Sequence, residues 1–208
     1  MGLVPSMIHS PQLQRALLLG HDGEKKASLL EHWRAMTRSF ASGCNCFCIE
    51  NTEIAVWDVA GQESTSWDTC LTGADAIIWL LDAADKEGLR YARNALHTAF
   101  SPRSVAHRIN CLVLVNTPDP LEGSLCAEIM DVLELDEIFG FWSVVACSVT
   151  TGDGLREGLV WLAHPYAHAP VEYQVSLAFE DGIDDNEDWI YLGHLPGTLY
   201  SDVSLTDD

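Results

Sequence analysis

Five short, predominantly apolar segments place the strongest constraint on the fold of this chain. They are residues 16–19, 54–57, 76–81, 109–115 and 143–147. A strand without a polar face must be covered on both sides. The segments between them carry apolar residues at helical spacing, and this alternation is typical of a mainly parallel sheet with crossover helices. We therefore expect an α/β fold.

Three helices are predicted from the spacing of apolar residues. Asp85 is a suitable N-cap for the first, the second covers residues 124–135, and the third lies near the end of the patterned region. The letters CFCIENTEIAVW indicate two antiparallel strands joined by a tight turn at residues 50–52, a hairpin within an otherwise parallel pattern. The apolar positions of the first and third helices are Leu89, Ala92, Leu96 and Phe100, and Leu155, Leu159 and Leu162.

The length and charge of the chain restrict its class. A chain of 208 residues accommodates one sizeable domain and an extension. Its net charge of −20 repels nucleic-acid phosphates and anionic lipid headgroups, so nucleic acid is not expected as a partner. No apolar stretch approaches the ~18 residues of a membrane span, and the N-terminus lacks the pattern of a secretory signal. We expect a soluble, cytoplasmic protein.

The seven cysteines have no regular spacing and fit reduced thiols better than a disulfide framework. Three of them, Cys44, Cys46 and Cys48, alternate in the letters GCNCFC and suggest a metal site. On a strand, however, these positions spread over ~13 Å, which is too far for three thiolates to share one tetrahedral zinc. No metal site is predicted here.

The stretch GHDGEKKAS, residues 20–28, follows the first apolar run. A glycine-led turn between a buried strand and a helix is how phosphate-binding loops are built, and Lys26 stands where such a loop keeps its lysine. The pattern G-x-x-x-x-G-K-[ST] is broken twice. Lys25 replaces the second glycine, and Ala27 replaces the hydroxyl residue that would hold magnesium.

A second motif, VWDVAGQES, places Asp58 at the end of a predicted strand. From there a carboxylate can reach magnesium through water, and Gly61 would let its amide meet a γ-phosphate. Gln62 would be placed to orient an attacking water. A third motif, LVLVNTPDP, has Asn116 and Asp119 at the spacing of the guanine-reading N-K-x-D element, in which a carboxylate accepts two N–H donors of the base.

A fourth stretch, ACSVTTGDGLREGLVWL, resembles the end of the Arf/Arl family of small GTPases. Trp57 before Asp58 and Trp67 after Gln62 are also similar to that family, and the four motifs occur in family order over roughly residues 12–165. The resemblance implies a P-loop NTPase fold with a six-stranded, mostly parallel sheet, helices on both faces, and a guanine nucleotide at the carboxyl ends of the strands. It also implies effector recruitment, usually on membranes or in cilia.

The resemblance further implies a role for each matching residue. Gly20 and Lys26 would cradle phosphates, Asp58 and Gly61 would sense magnesium and γ-phosphate, and Gln62 would be catalytic by positioning water. Asn116 and Asp119 would read guanine, with Ser148, Val149 and Thr150 supporting the base. GTP or GDP is therefore the implied ligand.

The chain departs from the family pattern where magnesium is held. Ala27 removes one hydroxyl ligand, and with Gly43 as the glycine of the first switch, Ala41 removes the other. Ser28 is one position late, which rotates it by roughly 100° around a helix. We expect magnesium binding to be weak or absent, with Asp58 helping only through water. Lys25 either obstructs the phosphate or meets it with its charge, and obstruction is the favoured interpretation.

The predicted organisation has three parts. Residues 1–14 form an N-terminal segment in which the pattern MGLVPS makes Gly2 a candidate for myristoylation. Residues 15–168 form the Arf-like domain, and residues 169–208 form an extended acidic tail. One acyl chain binds a membrane only marginally, so any membrane contact is expected to be peripheral.

Two functions remain open at this point. One is a degenerate Arf-like protein that serves as a structural or recruiting subunit, contacts proteins through its switch face and acidic tail, and has little or no GTP turnover. The alternative is an active GTP/GDP switch that hydrolyses GTP slowly and recruits effectors in trafficking or cilia. An intermediate case keeps the nucleotide as a permanent structural ligand.

Overall fold

The computed structural model describes residues 12–37, 45–49, 51–59, 71, 73–100, 109–120, 124–138, 141–164 and 198–199. Gly2, Ala41, Gly43, Cys44, Gly61, Gln62 and nearly all of the acidic tail lie outside these residues. In chain order the elements are β1 Gln12–Leu19, α1 Gly23–Met36, β2 Cys46–Ile49, β3 Thr52–Asp58, β4 Ala76–Asp82, α2 Lys86–Ala99, β5 Asn110–Asn116, α3 Ser124–Leu133, a 3-10 turn Leu135–Glu137, β6 Trp142–Cys147, α4 Leu155–Ala163 and β7 Thr198–Leu199.

The strands form one mostly parallel sheet in the order β2-β3-β1-β4-β5-β6-β7. Among the described strands, only β2 and β3 run antiparallel to each other, which confirms the predicted hairpin. The six strands expected from the family resemblance are all present. The two-residue strand β7, from the acidic segment, pairs in parallel with Ser143 and Val144 of β6 and adds a seventh.

Both faces of the sheet are buried, as the apolar runs predict. Along β4, Ile77 and Trp79 point into one core cluster, whereas Ile78 and Leu80 point into the other. Helices α2 and α3 cover the first face, and helices α1 and α4 cover the second. Alternate side chains of one strand therefore serve two cores, which explains why the strand has no polar face.

The helices follow the predicted patterns with one difference at an end. Asp85 caps α2 by accepting hydrogen bonds from the amides of Glu87 and Gly88. The helix expected over residues 124–135 ends at Leu133, because Glu134 takes a left-handed conformation with φ 50° before the 3-10 turn. Within the described residues, no helix is long and apolar enough to cross a bilayer.

None of the cysteines in the described residues forms a disulfide. Cys46 and Cys48 lie two residues apart on β2, as the alternating letters predict. Burial raises the pKa of Cys111 to about 12, and burial together with the neighbouring Cys126 thiol raises that of Cys147 to about 12. A thiol with such a pKa is almost entirely protonated at neutral pH and is a poor nucleophile.

Candidate nucleotide site

The sequence motifs meet at one edge of the sheet because five parallel strands end there. Leu18 near the end of β1 pairs with Asp58, the last residue of β3. Asp82, the last residue of β4, pairs with Asn116, the last residue of β5. The carboxyl edge of a parallel sheet is where ligands bind in folds of this class. Tertiary structure thus brings together Gly20, Lys26, Asp58, Asn116 and Ser148, which are scattered along the sequence.

The phosphate loop, residues 20–26, turns sharply out of β1. Gly20 has a φ of +150°, and a Cβ built on it would lie 2.7 Å from the carbonyl oxygen of Leu80. Only glycine fits this position without strain. Helix α1 begins at Gly23, so the amides of its first turn need an acceptor from outside the helix.

The chain's own carboxylate caps these amides. Asp22 Oδ1 accepts hydrogen bonds of 3.0 Å from the backbone N–H of Glu24 and of 3.0 Å from that of Lys25. These hydrogen bonds lower the pKa of Asp22, the one from the Lys25 amide most, against the opposing effect of desolvation. An internal anion therefore satisfies two donors at the helix N-terminus.

Lys26 is directed at the end of β3. Its side chain is buried, its ammonium lies 2.5 Å from Asp58 Oδ1, and it donates a longer bond of 3.3 Å to the carbonyl oxygen of Val59. The two residues that the motifs assigned to phosphate and to magnesium thus form an ion pair with each other. Gly61 and Gln62, the following residues of that motif, lie outside the described structure.

Lys25 makes contacts that differ from both roles expected of it, which were to obstruct the phosphate or to meet it with its charge. Its ammonium forms an ion pair with Asp82 at the end of β4 and lies 3.4 Å from Asp22 Oδ2. The hydrogen bond to Asp82 is the main reason that the pKa of Lys25 is raised. Burial alone would raise the pKa of Asp82, but the hydrogen bonds from Lys25 and Ala84 outweigh it, so that this pKa is lowered.

The ion pair between Lys25 and Asp82 makes a contribution to stability that depends on pH. Because the pKa of Asp82 is lowered from 3.8, its contribution is present above pH 3.8 and disappears as the pH falls through the lowered value. Because the pKa of Lys25 is raised from 10.5, its contribution is present below pH 10.5 and disappears above the raised value.

Replacing Lys25 by methionine tests this dependence. We expect Lys25→Met to lower the free energy of unfolding at neutral pH by roughly 0.5–1 kcal/mol, since both side chains are partly solvated. The difference from the unaltered chain should shrink as the pH falls below 3.8 and vanish below the lowered pKa of Asp82, where its carboxylate is protonated. Urea unfolding across this range measures it, with Lys86→Met, at an exposed position on α2, as the control. A difference that persists in acid would show that Lys25 acts through packing.

The hydroxyl groups expected near magnesium are absent or engaged elsewhere in the described part of α1. Ala27 is exposed and has no side-chain oxygen. Ser28 donates its hydroxyl to the carbonyl oxygen of Val149 at 2.7 Å. Its one-position shift along the helix therefore directs it to the base side of the site. Ala41, the other departure from the pattern, lies outside the described residues.

The base side of the site is built from the ends of β5 and β6. Asn116 Oδ1 accepts a hydrogen bond of 3.0 Å from the backbone N–H of Val149. Thr117, which replaces the lysine of the family motif, is buried, and its Oγ1 accepts a bond of 3.4 Å from the amide of Asp119. Asp119 itself is exposed.

The base loop, residues 148–154, is closed by its own hydrogen bonds. Ser148 donates its amide to the carbonyl oxygen of Asp153 and accepts at its own carbonyl oxygen from the amide of Gly152. Ser148 and Val149 are buried, whereas Thr150 is exposed. The three residues predicted to support the base thus lie in one tight loop beside Asn116.

Three site residues were not identified in the sequence: Asp22, Asp82 and His32. Asp22 precedes a predicted helix, and its type is that of an N-cap, which was a usable signal. Asp82 follows an apolar run in the same way as Asp58. His32 carries no comparable signal, because its contact lies 117 residues away along the chain.

Comparison with known proteins agrees with this geometry. A family model described as the ADP-ribosylation factor family matches residues 3–166. The chain is similar to ADP-ribosylation factor-like protein 5A of Homo sapiens, of Rattus norvegicus and of Mus musculus, each 28% identical over 159 residues that cover 73% of this chain and 88% of the relative. The chain therefore belongs to the ADP-ribosylation factor family of small GTPases.

Proposed function

We propose that this Arf-family protein is a structural or recruiting subunit of a larger assembly, with impaired phosphate and magnesium binding and little or no GTP hydrolysis. One observation carries the proposal. Both lysines of the phosphate loop are neutralised by carboxylates of the chain, Lys26 by Asp58 and Lys25 by Asp82 and Asp22. Carboxylates of the same chain therefore balance the charge of both lysines.

The local charge makes phosphate entry costly. Two ammonium groups and three carboxylates leave this cluster with a formal charge of −1. A nucleotide phosphate would have to displace Asp58 from Lys26 and compete with Asp22 for the amides of α1. The displaced carboxylates would then face an anion in a partly desolvated site, where repulsion between like charges is strong.

The described residues do not fit a magnesium ion of the usual kind. Magnesium prefers oxygen ligands in octahedral geometry. At this end of the site Ala27 has no side-chain oxygen, the hydroxyl of Ser28 donates to the carbonyl oxygen of Val149, and one oxygen of Asp58 accepts from Lys26. Phosphoryl transfer depends on neutralising charge at the transferring group. Weak magnesium binding would remove part of this neutralisation, which supports slow or absent GTP hydrolysis even though the chain retains Gln62.

The base side supports the alternative of a nucleotide-binding switch. Guanine-nucleotide binding with magnesium is the general property of the family. Asn116 holds the base loop through Val149, and Asp119 is exposed at the position that would read guanine. Because Asn116 and Asp119 are kept, although Thr117 replaces the lysine between them, this alternative has the protein retain GDP or GTP as a structural ligand or hydrolyse GTP slowly.

Members of this family generally bind effector proteins, so we expect this chain to bind protein partners. Trp57 is 49% exposed at the end of β3, next to Asp58. A large exposed aromatic side chain is a frequent anchor of protein interfaces. We propose that it contributes to recruitment by the switch face, and that the acidic tail contributes a second surface.

The nucleotide content of the purified protein tests the impaired site directly. The full chain is purified without added nucleotide, denatured, and assayed for released GDP and GTP by chromatography, then again after incubation with excess GTP and magnesium. We expect less than about one-tenth of the sites to be filled in both preparations, because the lysines are already paired. Stoichiometric nucleotide would contradict the proposal and would make hydrolysis by Gln62→Leu the next assay.

The recruiting role predicts that partner proteins bind equally well whether or not a guanine nucleotide is present. Proteins that copurify with the full chain from its native cells should remain bound equally in EDTA and in excess magnesium with a non-hydrolysable GTP analogue. Partners that bind only with the analogue would establish the switch instead.

A further inference from the structure

We infer that Ser28 and His32 clamp the base loop onto helix α1, so that the chain itself joins the phosphate and base halves of the site in place of a nucleotide. Both side chains contact the carbonyl oxygen of Val149. These are positioning residues. The inference rests on the proposed function, in which the site does not depend on a bound nucleotide.

Val149 of the base loop is hydrogen-bonded at both its carbonyl oxygen and its backbone N–H. Ser28 Oγ lies 2.7 Å and His32 Nε2 lies 3.1 Å from the carbonyl oxygen of Val149. The N–H of Val149 donates to Asn116 Oδ1 at 3.0 Å. A carbonyl oxygen has two lone pairs and can accept both bonds, which requires His32 to carry its proton on Nε2.

The position of the two donors on α1 makes the clamp a short connection. Ser28 and His32 are four residues apart and therefore lie on the same face of the helix, directly after the phosphate loop. Gly152 packs against this face, since a Cβ built on it would lie 2.9 Å from His32 Nδ1. The buried indole of Trp33 donates to the carbonyl oxygen of Leu155 at 2.8 Å and anchors the same helix to α4.

The clamp performs a task that a ligand could otherwise perform. A nucleotide that binds the phosphate loop and the base loop together connects these two segments, which are separated by more than a hundred residues in sequence. Here Ser28 makes that connection across 121 residues through its hydroxyl, and the same bond withdraws the hydroxyl from the phosphate side. The base loop should accordingly be ordered without nucleotide.

Hydrogen exchange of the full-length, nucleotide-free protein tests the clamp. In Ser28→Ala/His32→Ala, amide exchange in residues 148–154 should be faster by on the order of tenfold or more, because two hydrogen bonds to the loop are lost. Ser28→Thr in a chain that keeps His32 retains a hydroxyl at this position. It should therefore show most of the protection that the double variant loses. The matched control is Thr98→Ala, which removes a hydroxyl that donates to a helix carbonyl, that of Asn94, far from the loop.

Two results would overturn the inference. One is unchanged exchange in residues 148–154 of the double variant, and the other is an equal increase in α2, which would show global destabilisation. The nucleotide content of the purified protein decides the proposed function separately, because the exchange experiment measures the bonds to Val149 whatever that content is.

Discussion

The double variant Lys25→Gly/Ala27→Thr is expected to retain guanine nucleotide at a level at least about tenfold above that of the unaltered chain. The glycine lets the backbone of the loop approach a phosphate closely, and we expect this gain to exceed the loss of the cation that pairs with Asp82 and Asp22. The threonine supplies a hydroxyl at the position that the phosphate-loop motif reserves for magnesium. Tenfold corresponds to about 1.4 kcal/mol of binding free energy.

The measurement is the nucleotide released on denaturation after loading with GDP, in magnesium and in EDTA. Lys25→Gly/Ala27→Val is the matched control, because valine has the shape of threonine without the hydroxyl. We expect retention by the threonine variant to fall in EDTA and retention by the valine control to be low in both buffers. Equal retention by the two variants would show that the missing hydroxyl is not what limits binding. Circular dichroism confirms that each variant is folded.

Gly154→Ala is expected to destabilise the protein by about 3 kcal/mol or more, which lowers the melting temperature of a domain of this size by roughly 6–12 °C. Gly154 has a φ of +74° at the N-cap of α4, and a Cβ built there would lie 2.1 Å from the carbonyl oxygen of Ala146. The obstructing atom belongs to the backbone of β6, so it cannot move aside as a flexible side chain would.

Gly23→Ala provides the control within the same chain. A Cβ built on Gly23 meets no atom within 4 Å, and the residue begins α1, where alanine is a better helix former. We expect its melting temperature to equal or slightly exceed that of the unaltered protein. Thermal unfolding followed by circular dichroism compares the two variants. A Gly154→Ala protein that melts within about 2 °C of the unaltered chain would contradict the argument, since that is less than the shift from 1 kcal/mol.

The ion pairs of Lys25 show how a lysine in place of the motif's second glycine can alter the charge balance of the phosphate loop. A lysine at this position brings a positive charge to the phosphate loop, and in isolation that charge would favour phosphate. In the folded chain Asp82 and Asp22 neutralise it. The gain of a cation therefore adds little attraction for a phosphate, because that cation is already engaged.

Local patterns in the sequence were sufficient to predict most of the architecture. The apolar runs predicted five buried strands, Asp85 predicted the start of α2, and the turn at Asn51 predicted the hairpin of β2 and β3. These features depend on burial periodicity and on capping, which act over a few residues. The order of the motifs along the chain, read as a family resemblance, then predicted which sheet edge carries the candidate site.

The contacts that define the site depended on the tertiary structure. Lys25 meets Asp82 across 57 residues, Lys26 meets Asp58 across 32, and Ser28 meets Val149 across 121. Such pairs form only after the strand order has brought particular strand ends side by side and packing has selected one direction for each side chain. The sequence by itself determined which residues could be charged, capped or buried. The tertiary structure decided that Lys25 and Lys26 would pair with carboxylates of this chain and that Ser28 would donate to the carbonyl oxygen of Val149.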